Sequence, residues 1–384
     1  MGGFKSFSQQ RQHRIAVSVY FFNQGLVFAS WASRIPDLKN SLGLSVAGLG
    51  SMLFFLPIGQ FCAMTLSGIT VSKYGSKKVL SIAAIMYPAM LLCVGATHKL
   101  WQLPIVLFLL AFCGNFASLG TNTQGVGVQK LYGKSIIASF HGIWSVAGFT
   151  GGLISTIMVT NNISPFTHYC FIFGIVLIMI FLMRNYLLPR DTEPDDTRRN
   201  RGFVLPDKSL VILGFIALGS SVCEGTMFDW SGIYFQKVLI VPKDLIRLGY
   251  MAFFFAMAFG RFTADRMVTR FGIYKMLRVS GLVIFTGLII SVIFPYIPTA
   301  TLGFLLVGLG TSCVIPLCYG LAGKSENMHP GLAIASVASV SFMGILIGPP
   351  LIGFIAQAVS LRLSFTVIAI LGLTTTVLSS RIKH

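Results

Sequence analysis

Glu224 and Asp229 lie in the stretch CEGTMFDW, residues 223–230, inside a run that is otherwise apolar. A carboxylate near the middle of a bilayer costs about 3 kcal/mol on insertion scales, so it must face protein or water and usually marks an ion or substrate path. An acid at such a depth can take up and release a proton as its surroundings change, which makes Glu224 the expected proton-coupling residue. Asp229 lies about 7.5 Å further along a helix and about 140° around it, so the two cannot point along one line unless the helix is distorted. Asp229 is the second proton-coupling candidate, placed as gate or scaffold. The bland alternative makes both acids structural partners of polar groups on neighbouring helices.

Other side chains extend the list. His141 can relay protons or donate to a solute oxygen, or simply bond a neighbouring carbonyl. Asn23, Gln24, Asn115, Asn122 and Gln124 carry amides that are expensive against lipid, so they either line a solute cavity or tie helices together. Asn115 and Asn122 are seven residues apart and share one helix face. Trp144 and Trp230 can stack on a ring-shaped solute, and Trp144 shares a face with His141; membrane-interface anchoring is the other use of tryptophan.

The elements that hold these residues are long and apolar. Hydrophobic residues make up 54% of the 384-residue chain and charged residues 10%, and the mean hydropathy is +0.80. Runs of about 20 apolar residues recur from end to end, each long enough to cross the hydrocarbon core as a helix. Twelve spans are expected, at 15–33, 46–71, 79–97, 102–127, 135–158, 166–187, 209–235, 245–267, 274–294, 299–323, 331–357 and 363–380. The polar stretch 188–208 separates an N-terminal six-helix bundle (1–187) from a C-terminal one (209–384), with 188–208 as the linker. The fold class is an all-α membrane protein.

The net charge of +18 comes from short basic clusters between the spans, without the interleaved aromatics of a nucleic-acid groove, so no nucleic acid is expected as a partner. With the N-terminus inside, 22 of the 29 Lys and Arg fall on the inner side, which fits an even number of spans with both termini cytoplasmic. All seven cysteines lie within or at the ends of apolar segments and are expected as free thiols. Nucleophile elbows, P-loops and metal-spaced His–Cys clusters are missing, so the chain reads as no enzyme.

The two halves repeat each other. GITVSKYGSKK (68–78) and GRFTADRMVTRFGIYK (260–275) follow the second and eighth spans, with Gly75 and Gly272 in register. Gly148 and Gly152 likewise match Gly344 and Gly348, small residues at a spacing that allows close helix approach. Two similar six-helix halves are the layout of a secondary transporter.

These two motif copies and the 6+6 layout resemble the major facilitator superfamily over essentially the whole chain. Within it, NQGLVFASWASRIPDLK (23–39), NTQGVGVQKLYGK (122–134), FHGIWSVAG (140–148) and EGTMFDWSGIYF (224–235) resemble the fucose-permease-like branch. The resemblance implies two bundles related by a pseudo-twofold axis, rocking about a central site lined by helices 1, 4, 5 and 7. It also implies gating by the motif residues Gly68, Gly75, Lys77, Lys78, Gly260, Arg261, Asp265, Arg266, Arg270 and Gly272, with Asp265 as an acidic partner; a purely topological role for the basic residues is the alternative. Two positions depart from the pattern. Ser72 stands where the superfamily usually has an acid, and amides stand where the sugar permease has carboxylates on its first and fourth helices, which argues against fucose.

The expected activity is secondary active transport of a small polar, sugar-like or drug-like solute across a bacterial-type inner membrane, coupled to protons. The proton gradient replaces any cofactor, no metal is expected, and the partners are the solute and the lipid bilayer, with the protein a monomer. The alternative is a lipid-handling or sensing membrane protein that uses the same fold without transport.

Overall fold

The computed structural model describes residues 2–133, 136–189, 208–325, 328 and 330–382, with the side chains of 2–8, 330 and 331 left aside. Most of the linker, 190–207, and Lys134 of the quoted motif 122–134 lie outside the described residues.

Among the described residues every regular element is helical: α1 (Gly2–Ala32), α2 (Ile35–Ser41), α3 (Val46–Leu53), α4 (Phe55–Tyr74), α5 (Ser76–Gly95), α6 (Gln102–Tyr132), α7 (Ile137–Thr160), α8 (Pro165–Met183), α9 (Lys208–Lys237), α10 (Leu248–Phe271), α11 (Ile273–Ile293), α12 (Ile297–Ala322), α13 (Pro330–Ala358) and α14 (Leu361–Ser379). Among the described residues eleven spans are long and apolar enough to cross a membrane, one formed by α1 and α2 together and another by α3 and α4. The twelfth expected span is α10, which is less apolar than the others because it carries Arg261, Asp265, Arg266 and Arg270. This is a multi-pass membrane protein with the expected all-helical fold.

The helices group into two compact units, residues 1–42 with 55–194, and 43–54 with 195–384. In the first, α1 packs on α7 and α6 on both α4 and α5. Small residues make these approaches possible: a Cβ on Gly25 would strike the Trp144 carbonyl oxygen, and one on Gly59 the Phe108 carbonyl oxygen. In the second, α9 packs against α13, α14 and α12, and α12 also against α10 and α11. A Cβ on Gly344 would lie 2.7 Å from Leu218 O, so the expected small-residue approach on this helix is present.

The second expected span, 46–71, is interrupted at Phe54. Pro57 lacks the N–H that would bond Leu53 O, which weakens the helix at that point. Its first piece, α3, packs on α13 within the second unit, where a Cβ on Gly50 would lie 2.7 Å from Pro349 O and 3.1 Å from the Cα of Gly353. The expected N-terminal bundle of 1–187 therefore lends residues 43–54 to the other unit.

Both motif copies, expected as loops, are mostly helix end. Residues 68–74 belong to α4 and 260–271 to α10; the chain turns at one glycine in each copy. Gly75 has φ 83° and ψ 147° and Gly272 φ 79° and ψ 156°, a region open essentially to glycine alone. The bonds around them also correspond: Gly75 N to Val71 O at 2.9 Å and Gly272 N to Val268 O at 2.8 Å. The sequence repeat is thus a repeat of backbone conformation.

Candidate functional site

Glu224 sits just past the middle of α9 and is 9% exposed. Its Oε1 accepts a hydrogen bond from Nη2 of Arg261 on α10 at 3.2 Å, forming an ion pair whose side chains are 12% and 14% exposed. Arg261 lies ten residues before the end of α10 at Phe271, or about 15 Å inside it. Two residues expected in separate roles, proton coupling and motif gating, therefore form one charge-neutral pair. The expected acidic partner for the motif's basic residues, Asp265, is exposed and makes no ion pair among the described residues. Asp265 lies four residues beyond Arg261, on nearly the same face of α10 but one turn nearer the helix end, where its side chain is exposed.

The pair has polar neighbours. Ser221, one turn before Glu224, has its Oγ 2.6 Å from that of Ser341 on α13. Gly225 has no heavy atom within 4 Å of the place a Cβ would occupy. Asp229, half-buried, finds no ion pair or hydrogen bond among the described residues. Trp230 is fully buried, and its indole N–H has no acceptor among the described residues.

In the first unit His141 meets the Phe21 ring edge-on at 5.3 Å, and Trp144 meets Phe28 at 5.6 Å. Both are half-buried on α7. The amides differ in what holds them. Asn115 Oδ1 accepts from Ser67 Oγ on α4 at 2.7 Å, and Asn122 Nδ2 donates to Ser118 O of its own helix at 2.9 Å. Gln24 Nε2 donates to Thr121 Oγ1 at 2.9 Å. Gln124 is fully engaged: its Nε2 donates to Ser76 Oγ and Leu188 O, and its Oε1 accepts from Leu188 N at 2.8 Å. Asn23 is 4% exposed, and neither atom of its amide has a partner among the described residues.

The remaining motif residues serve several ends. Lys77 Nζ reaches Leu187 O at 3.4 Å, Lys78 is exposed, Arg266 is exposed, and Arg270 lies over the Phe271 ring at 5.3 Å. A Cβ on Gly260 would strike Ser312, so this glycine lets α10 approach α12; Gly68 has open space around it.

One cluster escaped the sequence reading, which singled out His141 alone among histidines. His168, in the first turn of α8, is fully buried and accepts from Nε of Arg34 at 3.3 Å. Arg34 also donates to Asp37 at 3.4 Å and to Ile163 O at 3.0 Å. The buried RIPD stretch after α1 was visible in the sequence; its partner 134 residues on was not. Among the described residues no group of three His, Cys, Asp or Glu gathers to hold a metal, and all seven cysteines are free thiols.

The Major Facilitator Superfamily profile matches residues 16–325 and, a second time, 241–382. The chain belongs to this family of transporters. An uncharacterized MFS-type transporter of Yersinia pestis is 32% identical over 367 residues, 96% of this chain and 94% of the relative. The membrane protein MosC of Rhizobium meliloti is 26% identical over 374 residues, 97% of this chain and 90% of the relative. Among solved structures, a mutant of the nucleoside transporter NupG superposes with a TM-score of 0.76 at 13% identity, covering 97% of this chain and 100% of that one. An inward-facing bacterial homolog of the human lysosomal transporter Spinster gives 0.71 at 12%, covering 96% of each chain.

Proposed function

We propose that the chain is a proton-coupled secondary transporter of a small polar solute, working by alternating access in a bacterial-type inner membrane with both termini in the cytoplasm. The observation that carries the reading is the Glu224–Arg261 pair, 3.2 Å apart and largely buried between α9 and α10. With Glu224 ionised the two charges cancel. With Glu224 protonated, Arg261 keeps its charge but loses its counter-ion, an expensive state at low exposure. The guanidinium must then find water or another partner, so proton uptake biases the arrangement of two packed helices, which is the differential interaction that coupling requires.

His141, Trp144 and Asn122 are the proposed solute contacts in the first unit; in the second, Asp229 is proposed as a gate or scaffold residue beside the proton carrier Glu224. Asn115, Gln24 and Gln124 are assigned to the scaffold, because their amides tie one helix to another within their unit, whereas Asn122 bonds only its own helix. Trp230 joins the scaffold because it is fully buried. We assign the chain to the fucose-permease-like branch on the motifs quoted above; amides in place of carboxylates on helices 1 and 4 favour a solute other than fucose. The protein acts as a monomer driven by the proton gradient.

Thermal-shift screening of the purified protein against sugars, amino acids, nucleosides and drugs, at several pH values, tests the solute class. The proposal expects stabilisation by at least one polar solute, with a shift that changes with pH. Stabilisation by phospholipids, with none by any polar solute, would favour a lipid-handling protein instead.

A further inference from the structure

A small cavity of about 10 Å³ lies in the first unit, lined by Tyr20, Asn23 and Gln24 of α1, Ala84, Tyr87 and Pro88 of α5, and Thr121 of α6 among others. That volume is about the least that holds one water molecule. Its wall carries unmet polar groups. Asn23, 4% exposed, has both amide atoms without partners among the described residues, and so has the hydroxyl of Tyr20, 1% exposed. Pro88, inside α5, has no N–H to return to Ala84 O four residues earlier, so that carbonyl loses its usual helical donor. Gln24 and Thr121 are already bonded to each other.

Each buried polar group left unpaired costs about 1–3 kcal/mol, so this wall calls for a guest. The mixture of groups selects which guest. Ala84 O and Asn23 Oδ1 only accept, whereas Asn23 Nδ2 only donates. A cation would face the amide hydrogens and an anion the carbonyl oxygens; only a molecule that both donates and accepts satisfies the set, and only one the size of water fits. Exchanging the amide's oxygen and nitrogen leaves this requirement unchanged, because both atoms are orphaned.

We infer that this cavity binds one ordered water molecule that bridges α1, through Asn23 and Tyr20, to the proline-freed carbonyl of α5. The water replaces the hydrogen bond that Pro88 removes, in a region where lipid and apolar side chains offer no substitute. It makes Asn23 and Tyr20 the anchors of a joint between α1 and α5, a role that the solute contacts do not share.

The test is a high-resolution structure of the full chain in lipid nanodiscs, joined to thermal unfolding of Asn23→Leu and Tyr20→Phe. A density peak 2.7–3.2 Å from an Asn23 amide atom, Tyr20 Oη or Ala84 O, distances ordinary for hydrogen bonds, is the expected result. The midpoint of Asn23→Leu should fall by roughly 2–4 °C for each kcal/mol lost, as a bridged network comes apart. No peak, together with a higher midpoint for Asn23→Leu, would mean a dry cavity that the leucine fills, and would overturn the inference. A peak with shorter contacts, and a midpoint that drops when choline replaces sodium, would mean a cation and overturn it equally.

Discussion

A carboxylate and a guanidinium 3.2 Å apart, each mostly withdrawn from solvent, stand or fall together. Removing one partner leaves a buried charge uncompensated, at about 3–5 kcal/mol, whereas replacing both by neutral groups of similar size is close to neutral. Arg261→Gln should therefore lower the unfolding midpoint markedly, and Glu224→Gln/Arg261→Gln should recover most of the loss; thermal unfolding of the four proteins of this double-mutant cycle reads the coupling. A pair that adds no coupling would mean that the contact is incidental. Glu224 was legible in the sequence because an acid in an apolar run is rare. Its partner was not, because Arg261 reads as one more basic residue of a motif, and nothing in one sequence says which way it turns.

At the scale of elements, the glycine turns make the sharpest claim. Gly75 and Gly272 hold matching backbone angles with φ near +80°, where a side chain costs about 1–3 kcal/mol. Gly75→Ala and Gly272→Ala should each lower the unfolding midpoint, by similar amounts, while Gly68→Ala, with open space around it, should be nearly silent. Gln124 makes the second claim. Its side chain fastens Leu188, where α8 has just ended, to Ser76 at the start of α5, so Gln124→Leu leaves the Leu188 backbone groups unpaired, at about 1–3 kcal/mol each. Asn122→Ala, which loses only a bond back to its own helix, should cost far less, and hydrogen exchange at Leu188 separates the two. The order of the membrane spans was readable from apolar runs. The interruption at Phe54 and the helical character of the motifs were not, since both depend on backbone bonds that hydropathy does not report.

For the whole molecule, the chain divides into two helical units, and the motif repeat read in the sequence returns in the matching glycine turns at Gly75 and Gly272. What the sequence could not supply was the grouping of residues 43–54, which are continuous with α4 in the chain but pack on α13. The excess of Lys and Arg between alternate spans predicts cytoplasmic termini; reporters fused at each end should be active only when they need the cytoplasm, and the reverse pattern would invert the topology. The central claim, that Glu224 carries the coupling proton, is tested most directly by uptake into proteoliposomes under an imposed pH gradient, using the solute identified by thermal shift. Wild-type protein should accumulate this solute against its gradient, whereas Glu224→Gln protein should exchange it across the membrane without accumulating it. Uphill accumulation by Glu224→Gln protein at the wild-type level would rule out Glu224 as the proton carrier.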